Sequence, residues 1–252
     1  MRVIGLLSWF DERPEDLRRA VRSHAAPGFI DALVAVDGRY ALYGHGESVS
    51  APEQYAAIEQ EARAQAIDLV LVRRETPWEG EVHKRGHLFR LGLAMAEVGD
   101  DWFWIIDGDN ELAEHAGPDA FRARLASTEH HVAEVILSEP GKLWQDVRRP
   151  MRQLFRALPG FSPYGSHWHY VARVDDEWRY LWGPKERRLL PAIELHEVVV
   201  RHHHADREQE RRNRAYSYYA KRDERKVETT PSWFVDGPDG FLRRVDNEGE
   251  LA

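Results

Sequence analysis

The run Trp102-Phe103-Trp104-Ile105-Ile106, followed at once by Asp107-Gly108-Asp109, decides the reading of this chain. A short, uninterrupted apolar run with no polar alternation is what a strand buried on both faces looks like, and such strands belong to parallel sheets covered by helices. Upstream, the pattern repeats. Residues 3–9 form an apolar run, and a helix is expected from Pro14, with Leu17, Ala20, Val21 and His24 on one face before Pro27-Gly28 ends it. A second strand is expected at 32–36, closed by Asp37-Gly38, then a helix at 52–66, a third strand at 68–72 and a loop at 73–81 containing Pro77 and Gly80. Leu88, Leu91, Ala94 and Met95 mark the helix that leads into the tryptophan-rich strand. Four strands with a helix between each pair before residue 107 predict an α/β fold with a largely parallel sheet.

Downstream the periodicity loosens. Residues 140–191 are rich in Pro, Gly and aromatics and read as irregular, site-forming chain, with one hairpin where 170–172 and 178–180 flank Asp175-Asp176-Glu177. A strand is expected at 193–200, then His202-His203-His204, a charged helix at 206–225 and a polar tail at 236–252. The expected organisation is one domain with a first half at 1–115, a second at 116–235, and the tail.

Composition narrows the function classes. The chain has 252 residues, no cysteine and a formal net charge of −8. A disulfide scaffold, a thiolate metal site and a cysteine nucleophile are excluded, so any metal must sit on His or carboxylate. No apolar run approaches the ~20 residues a spanning helix needs. The opening apolar stretch is cut by Asp11-Glu12-Arg13-Pro14, so no signal peptide and a cytoplasmic location are expected. Charge is uneven: residues 142–190 hold ten Lys or Arg against five acids, and 201–226 nine against five. These strips are either solvated surface or a source of cations for an anionic ligand.

Asp107-Gly108-Asp109 follows a strand whose carboxyl end opens onto the crevice where ligands bind in such sheets. Aspartates spaced by one residue suit a hard divalent cation, Mg²⁺ or Mn²⁺, which keeps positions for phosphate oxygens. An EF-hand is ruled out because Leu112 stands where the loop needs its glycine. A phosphatase with an aspartyl nucleophile would carry the motif on its first strand, and here it follows the fourth.

The order of pieces resembles the GT-A glycosyltransferases, in particular the family-2-like group. Carrying the resemblance are Trp9-Phe10-Asp11-Glu12 after the first strand, Val36-Asp37-Gly38 after the second, Lys84 or Arg85 on the helix before the motif, Asp107-Gly108-Asp109 itself, and Arg152-Gln153-Leu154-Phe155-Arg156. It covers residues 1 to about 115 well and 150–225 loosely. It implies a GT-A fold with an irregular acceptor region and a nucleotide-sugar donor, UDP-linked by expectation. In that light Asp11 or Glu12 and Asp37 approach the nucleoside and Lys84 or Arg85 face the diphosphate. Asp109 holds Mn²⁺ or Mg²⁺ with Asp107, and His202 or His204 completes the metal site. Read from the residues alone, Asp11-Glu12 equally serve as a helix cap, Asp37 as a turn residue and Lys84-Arg85 as an exposed pair.

The family's His-Glu pair, which would supply the base, has no counterpart in Gly165-Ser166-His167-Trp168-His169-Tyr170, so Glu139 is the candidate catalytic base. The nine tryptophans, among them Trp144, Trp168, Trp178 and Trp182 in the later region, suit either a core or sugar platforms. Two other readings stay open: a metal-dependent phosphatase or nucleotidyltransferase, and an inactive nucleotide-sugar-binding module. The acceptor, whether glycan, protein, small molecule or modified nucleic acid, is left open, with no membrane span.

Overall fold

The computed structural model describes residues 1–26, 28–42, 47–142, 145–164, 166–183 and 189–203, together with the short segments 234–236 and 242–244. The first four strands are β1 (Val3–Ser8), β2 (Ala32–Val36), β3 (Asp68–Val72) and β4 (Trp102–Asp107), interleaved with α1 (Pro14–Ala25), α2 (Pro52–Ala64) and α3 (Glu81–Met95). All four strands pair in parallel, in the order β3-β2-β1-β4. α1 and α2 begin at a proline, whose fixed φ and missing N–H suit the first turn.

Alternation along the strands builds two core layers. Val3, Leu7, Leu33, Ala35, Trp102, Trp104 and Ile106 face α1 and α2, with Leu17, Val21, Tyr55 and Ile58. Ile4, Leu6, Ala32, Val34, Phe103 and Ile105 face the other way, toward Leu88 and Phe89 of α3. β1 and β2 are buried throughout, whereas β3 is half-exposed as befits a sheet edge.

The chain then continues through β5 (Asn110–Glu114), α4 (Pro118–Ser127), β6 (Val132–Lys142), β7 (Gln145–Arg156) and β11 (Ile193–His202), which complete the eight-stranded sheet in the order β3-β2-β1-β4-β7-β6-β11-β5. The sheet is mixed: β7 runs antiparallel to β4 and β6, β11 is parallel to β6, and β5 is antiparallel to β11. A second sheet comprises β8 (Ser162–Tyr164), β9 (Ser166–Val174), β10 (Glu177–Trp182), β12 (Phe234–Asp236) and β13 (Leu242–Arg244). Phe161, just before β8, and the sheet's Tyr170 and Leu181 close the α3 layer, where the ring of Phe161 lies 4.5 Å from that of Phe89. The architecture is therefore α/β, a curled mixed sheet flanked by four helices among the described residues. No described helix is long and apolar enough to cross a membrane.

The structure corrects the reading of 140–191 as irregular. A long β6–β7 hairpin and most of the second sheet occupy it. Charge hides the strand pattern of β7: Arg152 pairs with Glu134 at 3.0 Å and Arg149 with Glu139 at 3.2 Å, so these arginines are matched across strands. Pro150 lies beyond the stretch of β7 that pairs with β4, where a missing N–H costs no ladder bond on that side. The expected 170–172/178–180 hairpin is present as β9–β10, with Asp175 and Asp176 at positive φ in its turn. A strand, β13, also falls inside the segment read as a tail. The expected helix at 206–225 lies outside the described residues.

Candidate functional site

Between β1 and β4 the strand order reverses, the position at which open α/β sheets accommodate ligands outside the carboxyl ends of their strands. Every described residue singled out for nucleotide or metal lies at or just past these ends, on the helix that packs beside them, or, for His202, at the end of β11 where it pairs with β5.

At the end of β2, Asp37 is fully buried, and its carboxylate accepts hydrogen bonds from the Ser50 amide at 2.7 Å, the Ser50 hydroxyl at 2.6 Å and the Tyr55 hydroxyl. Burial, then the hydrogen bond to Asp37 and its charge, push the Tyr55 phenol above its ordinary range. Asp37 thus fixes the loop before α2, and its oxygens are already engaged. Asp11 stands at φ 53, and its N–H donates to Ser50 Oγ at 2.9 Å. Glu12 is buried, donates its N–H to Gln54 and packs against Gly108 so closely that a Cβ there would lie 2.7 Å from Glu12 Cγ. Gly108 is required by that approach.

The basic pair of α3 is not the exposed pair its residue types allow. Lys84 is 1% exposed and donates to the carbonyls of Trp9 and, at 2.9 Å, Gly38. Burial pushes its ammonium down to about 7, against the opposing pull of Asp37. Arg85 is buried too; Nη2 reaches Asp107 Oδ1 at 2.6 Å, while Nε and Nη1 have no hydrogen-bond partner. Burial lowers the Arg85 pKa, but Asp107 and further neighbours outweigh it and hold the group above its ordinary value.

The two motif aspartates are separated in role. Asp107, 29% exposed at its side chain, is neutralised by Arg85, and its N–H donates to Asn110 Oδ1 at 3.2 Å. Asp109 is 1% exposed and faces the end of β11. Register pairs His202 with Asn110, which puts His202 Nε2 at 2.9 Å from Asp109 Oδ2. On the other side of the imidazole, Nδ1 lies 3.6 Å from Glu139 Oε1, and Arg149 holds the second Glu139 oxygen. His203 points elsewhere, to Glu111 at 2.7 Å, as strand alternation requires. His204 lies outside the described residues.

Asp109 and His202 fit a shared divalent ion in one respect: 2.9 Å is the separation of neighbouring donors on an octahedral ion held at about 2.1 Å. Among the described residues no group of three or more His, Asp and Glu side chains is arranged to hold a metal. Asp109 and His202 would be the two protein donors, and an ion held by them would need phosphate oxygens or water for its other ligands. Glu139 lies 3.6 Å from the second imidazole nitrogen, too far for a hydrogen bond but near enough for its charge to act on the ring.

Asn110, Ser50, Tyr55 and Arg149 escape sequence reasoning. Only Arg149 had a signal, as one of the basic excess between 142 and 190; the others declare themselves only through contacts. Comparison with known proteins adds no assignment, since no family model matches the chain and no curated protein matches it significantly.

Proposed function

We propose that the chain is a GT-A-type glycosyltransferase that transfers a sugar from a nucleoside diphosphate donor, UDP-linked by preference. One observation carries the reading: Asp109 after β4 and His202 at the end of β11, 93 positions apart in sequence, meet at 2.9 Å beside a strand-order switch. In an α/β sheet such a switch is where a nucleotide diphosphate is accommodated.

Asp109 and His202 would hold Mn²⁺ or Mg²⁺, and the ion would supply positive charge to the departing diphosphate. Arg85 brings two buried N–H-bearing groups without acceptors, an arrangement that favours an incoming phosphate oxygen because unfilled buried donors are costly. Glu139, buried and tethered by Arg149, is the group to take the acceptor hydroxyl proton. Asp37 serves the nucleoside indirectly by fixing the loop that carries Ser50, which leaves Asp11 and Glu12 as the nearer acidic groups.

Thermal melts with UDP, GDP and UDP-hexoses, with and without Mn²⁺, test the reading. A ligand at about a hundred times its Kd adds about 2.7 kcal/mol, or roughly 5–10 °C for a chain of this size. The shift should require Mn²⁺ and vanish in Asp109→Asn, with nucleoside diphosphate released from the matching donor. Full activity in Asp109→Asn refutes the assignment. Release of inorganic phosphate favours the phosphatase alternative, release of pyrophosphate from a nucleoside triphosphate the nucleotidyltransferase, and tight binding without turnover an inactive module.

A further inference from the structure

A cavity of about 590 Å³ opens beside the candidate centre, lined by Glu134, Arg149, Met151, Arg152, Trp182 and Leu189 among others. It lies in the size range of small-molecule sites, on the order of 300–1,000 Å³. Its floor is rigid. Arg152 donates through Nε to Glu134 at 3.0 Å and through Nη1 to the carbonyls of Leu181 and Leu190 at 2.7 and 2.8 Å. One wall is shared with the candidate centre, because Arg149 both lines the cavity and reaches Glu139.

The charges decide the ligand class. Each arginine at the cavity is matched by a carboxylate, Arg152 by Glu134 and Arg149 by Glu139. A site for an anion would present unmatched guanidinium, and a site for an apolar ligand would not set ion pairs in its lining. Matched guanidinium and carboxylate groups offer donors and acceptors side by side, the complement of a hydroxyl, which both donates and accepts. Trp182 and Met151 add apolar surface for the C–H face of a sugar ring.

We propose that this cavity binds a neutral carbohydrate. That this carbohydrate is the acceptor, delivered to Glu139 past Arg149, rests on the glycosyltransferase reading; that the cavity binds it does not.

The test is saturation-transfer NMR and titration calorimetry on the full chain without nucleotide or metal. The probes are methyl α-glucoside, methyl β-galactoside, maltose, lactose and chitobiose, with glucose 6-phosphate and glucuronate as anionic comparators. At least one neutral sugar should bind saturably, and both Trp182→Ala and Arg149→Met should weaken it by about tenfold or more. Should Trp182→Ala fail to fold, Leu189→Trp, which fills the cavity from its wall, should abolish the same binding. Absence of saturable binding by every neutral probe, binding of the anionic comparators alone, or binding indifferent to these substitutions overturns the proposal. Neutral sugar bound in the cavity without any transfer from nucleotide sugars would sink the glycosyltransferase reading and leave the cavity assignment standing; turnover without cavity binding would do the reverse.

Discussion

Lys84→Met offers a measurable consequence of the buried basic pair. Lys84 is buried and its ammonium is lowered, chiefly by desolvation, from 10.5 to about 7. A depression of about 3.5 units corresponds to about 5 kcal/mol of penalty on the charged form. Unfolded chain keeps the proton up to its ordinary value, while folded chain sheds it above about 7. Between these limits the unfolded state binds more protons, so stability rises with pH. From pH 7 to pH 9 the gain works out at about 2 kcal/mol. The tyrosines with raised pKa, Tyr55 and Tyr170, act only above their ordinary 10.0. The amino terminus, raised by its bond to Asp100, pulls the opposite way above 8.0, but it is common to both proteins. Urea unfolding at pH 7, 8 and 9 should therefore show a steeper rise for the native sequence than for Lys84→Met. The substitution also strips a donor from the Trp9 and Gly38 carbonyls, at a cost of about 1–3 kcal/mol each that does not vary with pH. Parallel pH profiles for the two proteins would refute the argument. An anion bound beside Lys84 would restore its proton, so UDP binding at pH 8 should take up most of a proton in the native protein and little in Lys84→Met, read by calorimetry in buffers of different ionisation heat.

Arg85→Met leaves Asp107 without its partner and should cost on the order of 2–3 kcal/mol in chemical denaturation, less than the 3–5 of a fully buried pair because Asp107 retains contact with water; native-like stability would contradict the ion pair's importance. Gly108→Ala places a Cβ 2.7 Å from Glu12 Cγ and should lower the melting free energy by about 1–3 kcal/mol, with Glu12→Ala in the same chain recovering part of it. Glu139→Gln should keep the Mn²⁺-dependent UDP shift while reducing transfer by about 10²–10⁴, and undiminished transfer would remove Glu139 as the base.

The first half of the fold was legible because both of its signals are local. The apolar run at 32–36 and the strand expected at 68–72, apolar from Leu69 on, became β2 and β3 with the same bounds, and proline at position 14 marked the start of α1. β7 was not legible, since Arg148, Arg149, Pro150 and Arg152 are polar or strand-breaking in isolation. Their fitness for a strand depends on Glu134 and Glu139 across the hairpin, at separations no periodicity reports. The site divides the same way. Asp107 and Asp109 announce themselves through position after an apolar strand. That Arg85 would pair with Asp107, and Asp37 with Ser50 and Tyr55, follows from packing that brings α3 and the loop before α2 onto the strand ends.

The division of the motif aspartates follows from which elements reach the turn after β4. Arg85 projects from α3 and meets Asp107 first, so that carboxylate is neutralised within residues 1–115. Asp109 lies past the turn, and its partners, His202 and the Glu139 beyond it, come from β11 and β6. Those strands reach it only because β5 leaves β4 and pairs antiparallel with β11, with His203 N–H donating to the Asp109 carbonyl at 3.0 Å. The second motif aspartate is therefore completed by the second half of the chain, and the sheet joining the halves is continuous from β4 through β7 and β6 to β11. A cation at Asp109 would thus sit on the seam, between crevice-side groups such as Arg85 and the Glu139–Arg149 pair that borders the cavity. Transfer between a nucleotide and a second substrate needs a centre accessible to both halves in this way, whereas nucleotide binding alone would be served by the strand ends of β1, β2 and β4.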